Sequence, residues 1–482
     1  MAHEILIDAG PGETRIALIE DDRLAAVSIE QPLRQSLVGS LWLGRVVRVM
    51  AGMQAAFVDL GLPRAGFLAA RDAKVLGDAA GSDETPPIGT LLHEGQAVLV
   101  EVAKDPLGDK GVKLSAEVTL PGRYLVYAPR GNGIHLSRRI EDMAERDRLA
   151  AMLAGAVAGS EGFIVRTAAS GAPAEAIGEE AAQLKAAWSE IVLRAGAAKP
   201  PTCLWRDLDP VVRALRDHLT ARVERVRINS AQAFAAAKSY AATALPALAD
   251  RLELHQGPAA LFELYDVEAD LARAVQKRVA LPSGGAITIE ATQALTAIDV
   301  DSGSYTAGRG LEETSLHTNL EAATEVARQL RLRGIGGIIV VDFIHLEAEA
   351  NRAALLAALR DALAHDRAPT RVLGMSEFGL VELTRKRTGE PLARAASEAC
   401  TTCVGEGRVP SPAAVAAELA RRAQREAAAA PGRPLTLVAA PEVAKALEEG
   451  GCLGALGNLV GAEVHLRADA RCRRGDYDVL VG

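Results

Sequence analysis

Three aspartates define the first candidate site. Asp299 and Asp301 lie in the run Thr296-Ala-Ile-Asp-Val-Asp301, and Asp342 ends the run Gly337-Ile-Ile-Val-Val-Asp342. Both runs are aliphatic and β-branched and are bracketed by glycines, so both are expected to be buried strands. Side chains alternate along a strand, which puts Asp299 and Asp301 on one face at its carboxyl end, with Asp342 at the corresponding end of the second run. A carboxylate on a core strand is costly unless its charge is compensated. Carboxylates converging at strand ends are hard oxygen ligands, suited to a divalent cation and most simply to magnesium. For any one of the three, capping of a following turn is the alternative.

The segment between the runs weighs against capping for the set. Residues Thr318 to Arg333 place Leu320, Ala323, Ala327 and Leu330 on one stripe at helical spacing. A strand–helix–strand unit with a right-handed crossover makes its two strands parallel, with their carboxyl ends on one edge of the sheet. Ligands bind at that edge in such sheets.

Two other clusters carry chemistry. Cys400-Thr-Thr-Cys403-Val-Gly405-Glu-Gly407 is a knuckle in which glycines let backbone N–H groups turn back onto sulfur, a spacing that suits tetrahedral zinc. Zinc takes four ligands, and Cys203, Cys452 and Cys472 are isolated in the sequence. Either histidines and lone cysteines complete the site, or two copies of the chain each donate a pair and the metal clasps a two-fold dimer. Arg166-Thr167 in GFIVRTAASG and Arg138-Arg139 in GIHLSRRIED offer guanidinium forks, the first beside a hydroxyl, that match the oxygens of a terminal phosphate. No Gly-x-x-x-x-Gly-Lys loop is present, which argues against an ATP-driven enzyme.

A chain of 482 residues is too long for one core, so three or more domains are expected. The N-terminal 30 residues alternate strands with turns and form a sheet that is incomplete alone. From Gly39 to Ser115, five short strands with glycine turns predict a small closed barrel of the oligonucleotide-binding type, on which Phe57 and Phe67 are candidate stacking platforms. Residues 117–208 form another compact unit, and 209–278 are expected to be mostly helical, including VVRALRDHLTARVERV. Past Val409 an Ala- and Arg-rich helix reads as a connector, followed by a strand–helix–strand–strand domain. The net charge of −8 excludes a uniformly basic coat but not local basic patches. Five scattered cysteines, no cationic leader in MAHEILIDAG and no long apolar run make the cytoplasm the expected compartment, with no membrane segment.

Taken in order, LTAIDVDSG, LEETSLHTNLEAATEVARQLRLRGIGGIIVVDFI, CTTCVGEG, GFIVRTA and the AAFVDLG…GFL barrel resemble the ribonuclease E/G family over nearly the whole chain. The resemblance implies an α/β and α+β multidomain protein. Its expected parts are an RNase-H-like fold in two pieces (1–36 and 209–278), an inserted OB-type RNA-binding barrel (37–116) and a 5′-sensor (117–208). A DNase-I-like catalytic domain (279–398), a zinc link (399–410) and a connector helix with a small domain (411–482) follow. It implies a magnesium-dependent endoribonuclease that cuts single-stranded, A/U-rich RNA, is stimulated by a 5′-monophosphate, and acts in rRNA and tRNA processing and mRNA decay.

By the same resemblance, Asp299 and Asp342 bind magnesium, and Asp301 stands where an asparagine is usual beside them. Arg166, Thr167 and the Val126 backbone contact the 5′-phosphate. Phe57, Phe67 and Lys110 grip RNA, with Arg138 and Arg139 as further RNA-binding candidates. Cys400 and Cys403 share zinc between subunits of a homodimer, with a tetramer as the alternative. Glu377 replaces an arginine common in relatives. The length matches the shorter branch of the family, without a scaffold tail for other decay enzymes. An RNA-binding or ribosome-maturation factor with weak or no cleavage is the rival reading.

Overall fold

The computed structural model describes residues 3–31, 36–77, 85–106, 110–157, 159–303, 310–364, 366–387, 389–398, 400–403, 405 and 407–482. Val404 and Glu406 of the cysteine knuckle therefore lie outside the described residues. The chain divides into two units, Met1–Ala395 and Ala396–Gly482.

The first unit begins with an antiparallel meander of β1 (His3–Ala9), β2 (Thr14–Glu20) and β3 (Arg23–Glu30). Next come β4 (Leu41–Met50), β5 (Ala55–Asp59), β6 (Gly66–Ala69), β7 (Ala97–Lys104) and β8 (Lys113–Ser115). They pair in the order β4-β5-β6-β8-β7, and β7 returns to β4 to close a five-stranded barrel. Val46, Val58, Leu68, Val100 and Leu114 fill its interior. Phe57 and Phe67 alternate with these inward residues and stay half-buried on the outer side.

A small sheet follows, formed by β9 (Leu120–Pro121), β10 (Leu125–Ala128), β11 (Gly133–Leu136) and β12 (Gly162–Val165) in the order β11-β12-β10-β9. Tyr127, Phe163 and Val165 pack against Leu149 and Leu153 of the helix Met143–Ala154 and against Ile177 and Ala181 of the helix Ala174–Ala197. Then β13 (Thr202–Trp205) runs back to the barrel and pairs with β4.

The meander is completed late in the chain. β14 (Val223–Ile228) pairs parallel with β1, and β15 (Leu252–Leu254) pairs parallel with β14. This corrects the all-helical expectation for VVRALRDHLTARVERV: the helix spans only Pro210–His218, started by the Asp209 cap and Pro210. Val223, Val226 and Ile228 are buried beside β1, so sheet pairing overrides a helical reading of this short apolar stretch.

The aspartates lie on a six-stranded sheet. Its strands are β16 (Arg278–Ala280), β17 (Ala286–Ala291), β18 (Leu295–Asp301), β19 (Gly337–Asp342), β20 (Thr370–Met375) and β21 (Leu380–Arg385), in the order β16-β17-β18-β19-β21-β20. β18 and β19 are parallel, as the crossover requires. The crossover helix starts at Leu311 rather than Thr318 and ends at Leu332. With the helix Glu349–Ala364 it covers one face, where Ile298, Val300, Ile339, Val341, Val381 and Leu383 are buried. The strands are thus not buried on both faces: Ala297, Asp299, Asp301, Ile338, Asp342 and Glu382 project from an open face. The crossover helix is buried widely because its other flank meets the meander, with Arg328 Nη1 donating to Leu24 O at 2.9 Å and Arg331 paired with Glu20 at 2.7 Å.

In the second unit the helix Pro412–Ala429 is more than a connector. Its Val415, Leu419 and Ala423 share a core with β22 (Leu435–Ala439), the helix Pro441–Glu449, β23 (Val464–Ala468) and β24 (Tyr477–Val481), ordered β23-β22-β24. An unexpected helix, Cys452–Val460, stands before β23; Gly454 and Gly457 lower its intrinsic propensity and hide it from a sequence reading. Among the described residues, no helix is long and apolar enough to cross a membrane.

Candidate active site

Register brings two of the three aspartates together. Asp299 of β18 and Asp342 of β19 are direct partners across neighbouring parallel strands, flanked in the same row by Thr288 and Leu380. Their backbones are therefore about 4.8 Å apart, with both side chains on the open face. Neither carboxylate has a hydrogen-bond or ion-pair partner among the described residues, and both are exposed. Two oxygen-donor groups beside open solvent suit a cation that keeps several waters, the habit of magnesium. Among the described residues no group of three or more His, Cys, Asp and Glu side chains gathers around them. Asp301 lies on the same face, but its Oδ2 is paired with Arg278 Nη1 of β16 at 3.1 Å.

The segment after β19 is pinned. Asn319 of the crossover helix is fully buried; its Nδ2 donates to Ile344 O at 2.7 Å and its Oδ1 accepts from Ile344 N at 3.0 Å. The Glu312 carboxylate accepts from Glu347 N and Ala348 N and from Asn351 Nδ2, which holds its pKa below the usual carboxylate range. The chain just past Asp342 is thereby tied to the helix at two points. On the other strand, Gly285 lets β17 approach Asp301, since a Cβ there would stand 2.6 Å from Asp301 O. Glu377 and the 90 % exposed Phe378 occupy the β20–β21 turn, beside Asp342 because Leu380 pairs with it.

Arg166 and Thr167 follow β12, and Val126 sits on the neighbouring β10, so the small sheet gathers the three expected phosphate contacts. Arg166 N donates to Tyr124 O at 2.7 Å, and Thr167 Oγ1 meets Ser137 Oγ at 3.0 Å. The Arg166 guanidinium is already engaged: Nη1 donates to Gly122 O at 2.5 Å and Nη2 to Asp217 Oδ1 at 2.7 Å. Asp217 also accepts from Arg216, whose guanidinium forks onto Asp207 at 2.7 and 3.0 Å. Burial opposes the Asp217 charge, yet the hydrogen bond and charge of Arg216, aided by Arg166, hold its pKa low. Glu180 fixes the β9–β10 turn by accepting from the backbone N–H groups of Arg123, Tyr124 and Leu125 at 2.6–2.8 Å.

Sequence reasoning did not find Asp217, Arg216, Asp207 or Glu180. Only the Asp209-Pro210 helix start was a readable signal nearby, because the Arg166–Asp217 contact spans 51 residues. Arg138 and Arg139 diverge. Arg138 is exposed, with no hydrogen-bond partner among the described residues, whereas Arg139 Nη2 donates to Asp366 O. The neighbouring Arg367 donates to Asp217 O and, at 2.8 Å, to His218 Nδ1. Burial, then the Arg367 charge, pushes His218 down to about 3, so its ring is neutral and Nδ1 accepts.

On the barrel, Phe57 and Phe67 are cross-strand partners with ring centroids 5.9 Å apart, edge to face, and Lys110 is exposed on the approach to β8. In the second unit, hydrogen bonds from the backbone N–H groups of Cys403 and Thr402 draw the Cys400 thiol down to about 7. Two thiol groups from one chain fall short of the four ligands of structural zinc.

A sequence model described as the ribonuclease E/G family matches residues 119–388, the span that holds the small sheet, the crossover helix and all three aspartates. Ribonuclease G of Salmonella typhimurium is 38% identical over 488 aligned residues, covering 100% of both chains. Ribonuclease G of Haemophilus influenzae is 37% identical, across 100% of this chain and 99% of that protein. Ribonuclease E of a Nostoc species is 40% identical over 425 residues, 83% of this chain and 61% of that protein. The chain belongs to the ribonuclease E/G family.

Proposed function

We propose that this protein is a magnesium-dependent endoribonuclease that cuts single-stranded A/U-rich RNA, prefers a 5′-monophosphate end, and serves rRNA and tRNA processing and mRNA decay in the cytoplasm. The observation that carries the reading is the Asp299–Asp342 register pair on an open face, in a chain similar to ribonuclease G over its full length. Asp299 and Asp342 hold the cation, and Asp301, charge-paired with Arg278, flanks the scissile phosphate. Magnesium bound there supplies Lewis acidity and lowers the pKa of a bound water. Water attacks phosphorus in line, the P–O3′ bond breaks, and O3′ takes a proton, leaving 5′-phosphate and 3′-hydroxyl ends. Phe57, Phe67 and Lys110 grip the RNA with help from Arg138 and Arg139. Arg166, Thr167 and the Val126 backbone take a terminal phosphate.

One assay tests this: A/U-rich RNA bearing a 5′-monophosphate or a 5′-hydroxyl, with magnesium or with chelator. The expected result is cleavage that needs magnesium and favours the monophosphate, and that Asp342→Asn slows at least about a hundredfold while RNA stays bound. Cleavage by Asp342→Asn at the normal rate would falsify the site; binding without cleavage by the unmodified protein would favour the RNA-binding rival.

For the knuckle, we propose that Cys400 and Cys403 share a zinc ion with the same pair of a second copy, forming a homodimer. The low Cys400 pKa and the two-thiol count support this. Cys403→Ser is expected to release zinc and yield monomers in sedimentation. A zinc-free dimer that persists would place the interface elsewhere.

A further inference from the structure

The open face that carries Asp299 and Asp342 has a second chemical feature at its other end. A shallow groove of about 610 Å³ opens there, lined by Ile338, Thr370, Arg371, Thr384, Lys386 and Arg387 among others. Arg371 pairs with Thr384, and Thr384 with Ile338, so these three form one row across the sheet. That row lies four residues along β19 from Asp342, about 13 Å at roughly 3.3 Å per residue. The distance spans about four stacked nucleotides at ~3.4 Å each, and fewer if the strand is stretched.

The groove is cationic and open. Arg371 and Lys386 are exposed and have no carboxylate partner among the described residues. Arg387 lies against the start of β19, its Nε donating to Gly336 O at 3.3 Å. A Cβ at Gly336 or Gly337 would come within 2.8 or 2.9 Å of Arg387, so the glycines that bracket this strand make room for its side chain. Arg385, by contrast, is buried against Asp366 and unavailable to a ligand. Glu382 stands in the row between groove and aspartates, so a polyanion crossing it keeps its phosphates turned outward there.

The groove also begins where the sheet meets the surroundings of Arg166. Just before β20, Asp366 O accepts from Arg139 and Arg367 donates to Asp217 O. We propose that Arg371, Lys386 and Arg387 carry the RNA backbone between a 5′ end held at Arg166 and the scissile phosphate over Asp299 and Asp342. This rests on the RNA-cleaving reading above and adds the path that joins its two sites.

The test uses the full-length protein with Arg371→Ala and Lys386→Ala together, and a 5′-monophosphorylated A/U-rich RNA. Binding, measured in an Asp342→Asn background, is expected to weaken roughly tenfold. The slope of log affinity against log salt is expected to flatten by about 1.4, or about 0.7 for each phosphate that is no longer neutralised. In the cleavage-competent form, KM should rise while kcat stays within about twofold. If the unmodified protein binds and cuts RNA but the double variant keeps its affinity and salt slope, the groove assignment fails alone. A changed oligomeric state with RNA binding unaltered also overturns it, and gives this face to a second copy of the chain. An unmodified protein that neither binds nor cuts RNA overturns the groove and the nuclease reading together.

Discussion

Asp299 and Asp342 stand on an open sheet face without a partner among the described residues, whereas the Arg166 guanidinium is held at 2.5 Å by Gly122 and at 2.7 Å by Asp217. Under the function proposed above both sites meet a charged ligand, yet they are prepared differently. The aspartates are fixed through their backbones: strand register sets their spacing, and Asn319 and Glu312 tie down the chain beyond Asp342. Their oxygens are left to water, so a cation meets little competition from the protein. Arg166 is fixed through its side chain, by the Asp217 carboxylate, which accepts from Arg216, itself anchored on Asp207. A long side chain loses much rotamer freedom when it binds, and pre-pairing removes that loss in advance. A short aspartate on a strand has little of that freedom to lose.

The contrast can be broken most severely at the buried Asp366–Arg385 pair, 4% and 5% exposed and 2.5 Å apart. Asp366→Ala leaves an uncompensated guanidinium in the core and is expected to cost about 3–5 kcal/mol in urea unfolding. Asp342→Asn, on the open face, should stay within about 0.5 kcal/mol of the parent. Equal losses would mean that the aspartates are structural. A middle-sized effect is expected at Asp217: Asp217→Asn removes the charge that braces Arg166 while Gly122 O still holds Nη1, so the preference for 5′-monophosphate over 5′-hydroxyl RNA should fall about three- to tenfold. The loss belongs in KM for the phosphorylated RNA, with 5′-hydroxyl RNA unaffected; a parallel loss on both substrates would point to a folding defect. The smallest effect is expected at Asp301, whose pair with Arg278 is exposed. Asp301→Asn should change the cleavage rate by less than about fivefold. A hundredfold loss would make Asp301 a metal ligand in its own right.

How much of this could be read from the residues depended on range. Alternation in Leu295–Asp301, with the crossover helix behind it, was enough to put Asp299 and Asp342 at parallel strand ends, because both signals are local. That one face of the sheet is open could not be read from β19: Gly337-Ile-Ile-Val-Val is apolar on both sides, yet Ile338 is 53% exposed. The strand at Val223–Ile228 was hidden because its partner is β1, at the far end of the first half of the chain. The Asp217 brace was invisible for the same reason. Gly454 and Gly457 concealed a helix that packing with β22 and its neighbours stabilises despite poor propensity.

The late return of β14 has a consequence for synthesis. His3 of β1 pairs with Val223, so the strand that opens the chain waits for a partner some 220 residues downstream, the difference between those two positions. At translation rates of about 5–20 residues per second the wait is roughly 10–40 s. Throughout it, β1 keeps one edge unpaired, and an unpaired edge is a template for another nascent chain. A ribosome that stalls before Val223 therefore holds a chain whose β1 edge is still open to pairing with a neighbour.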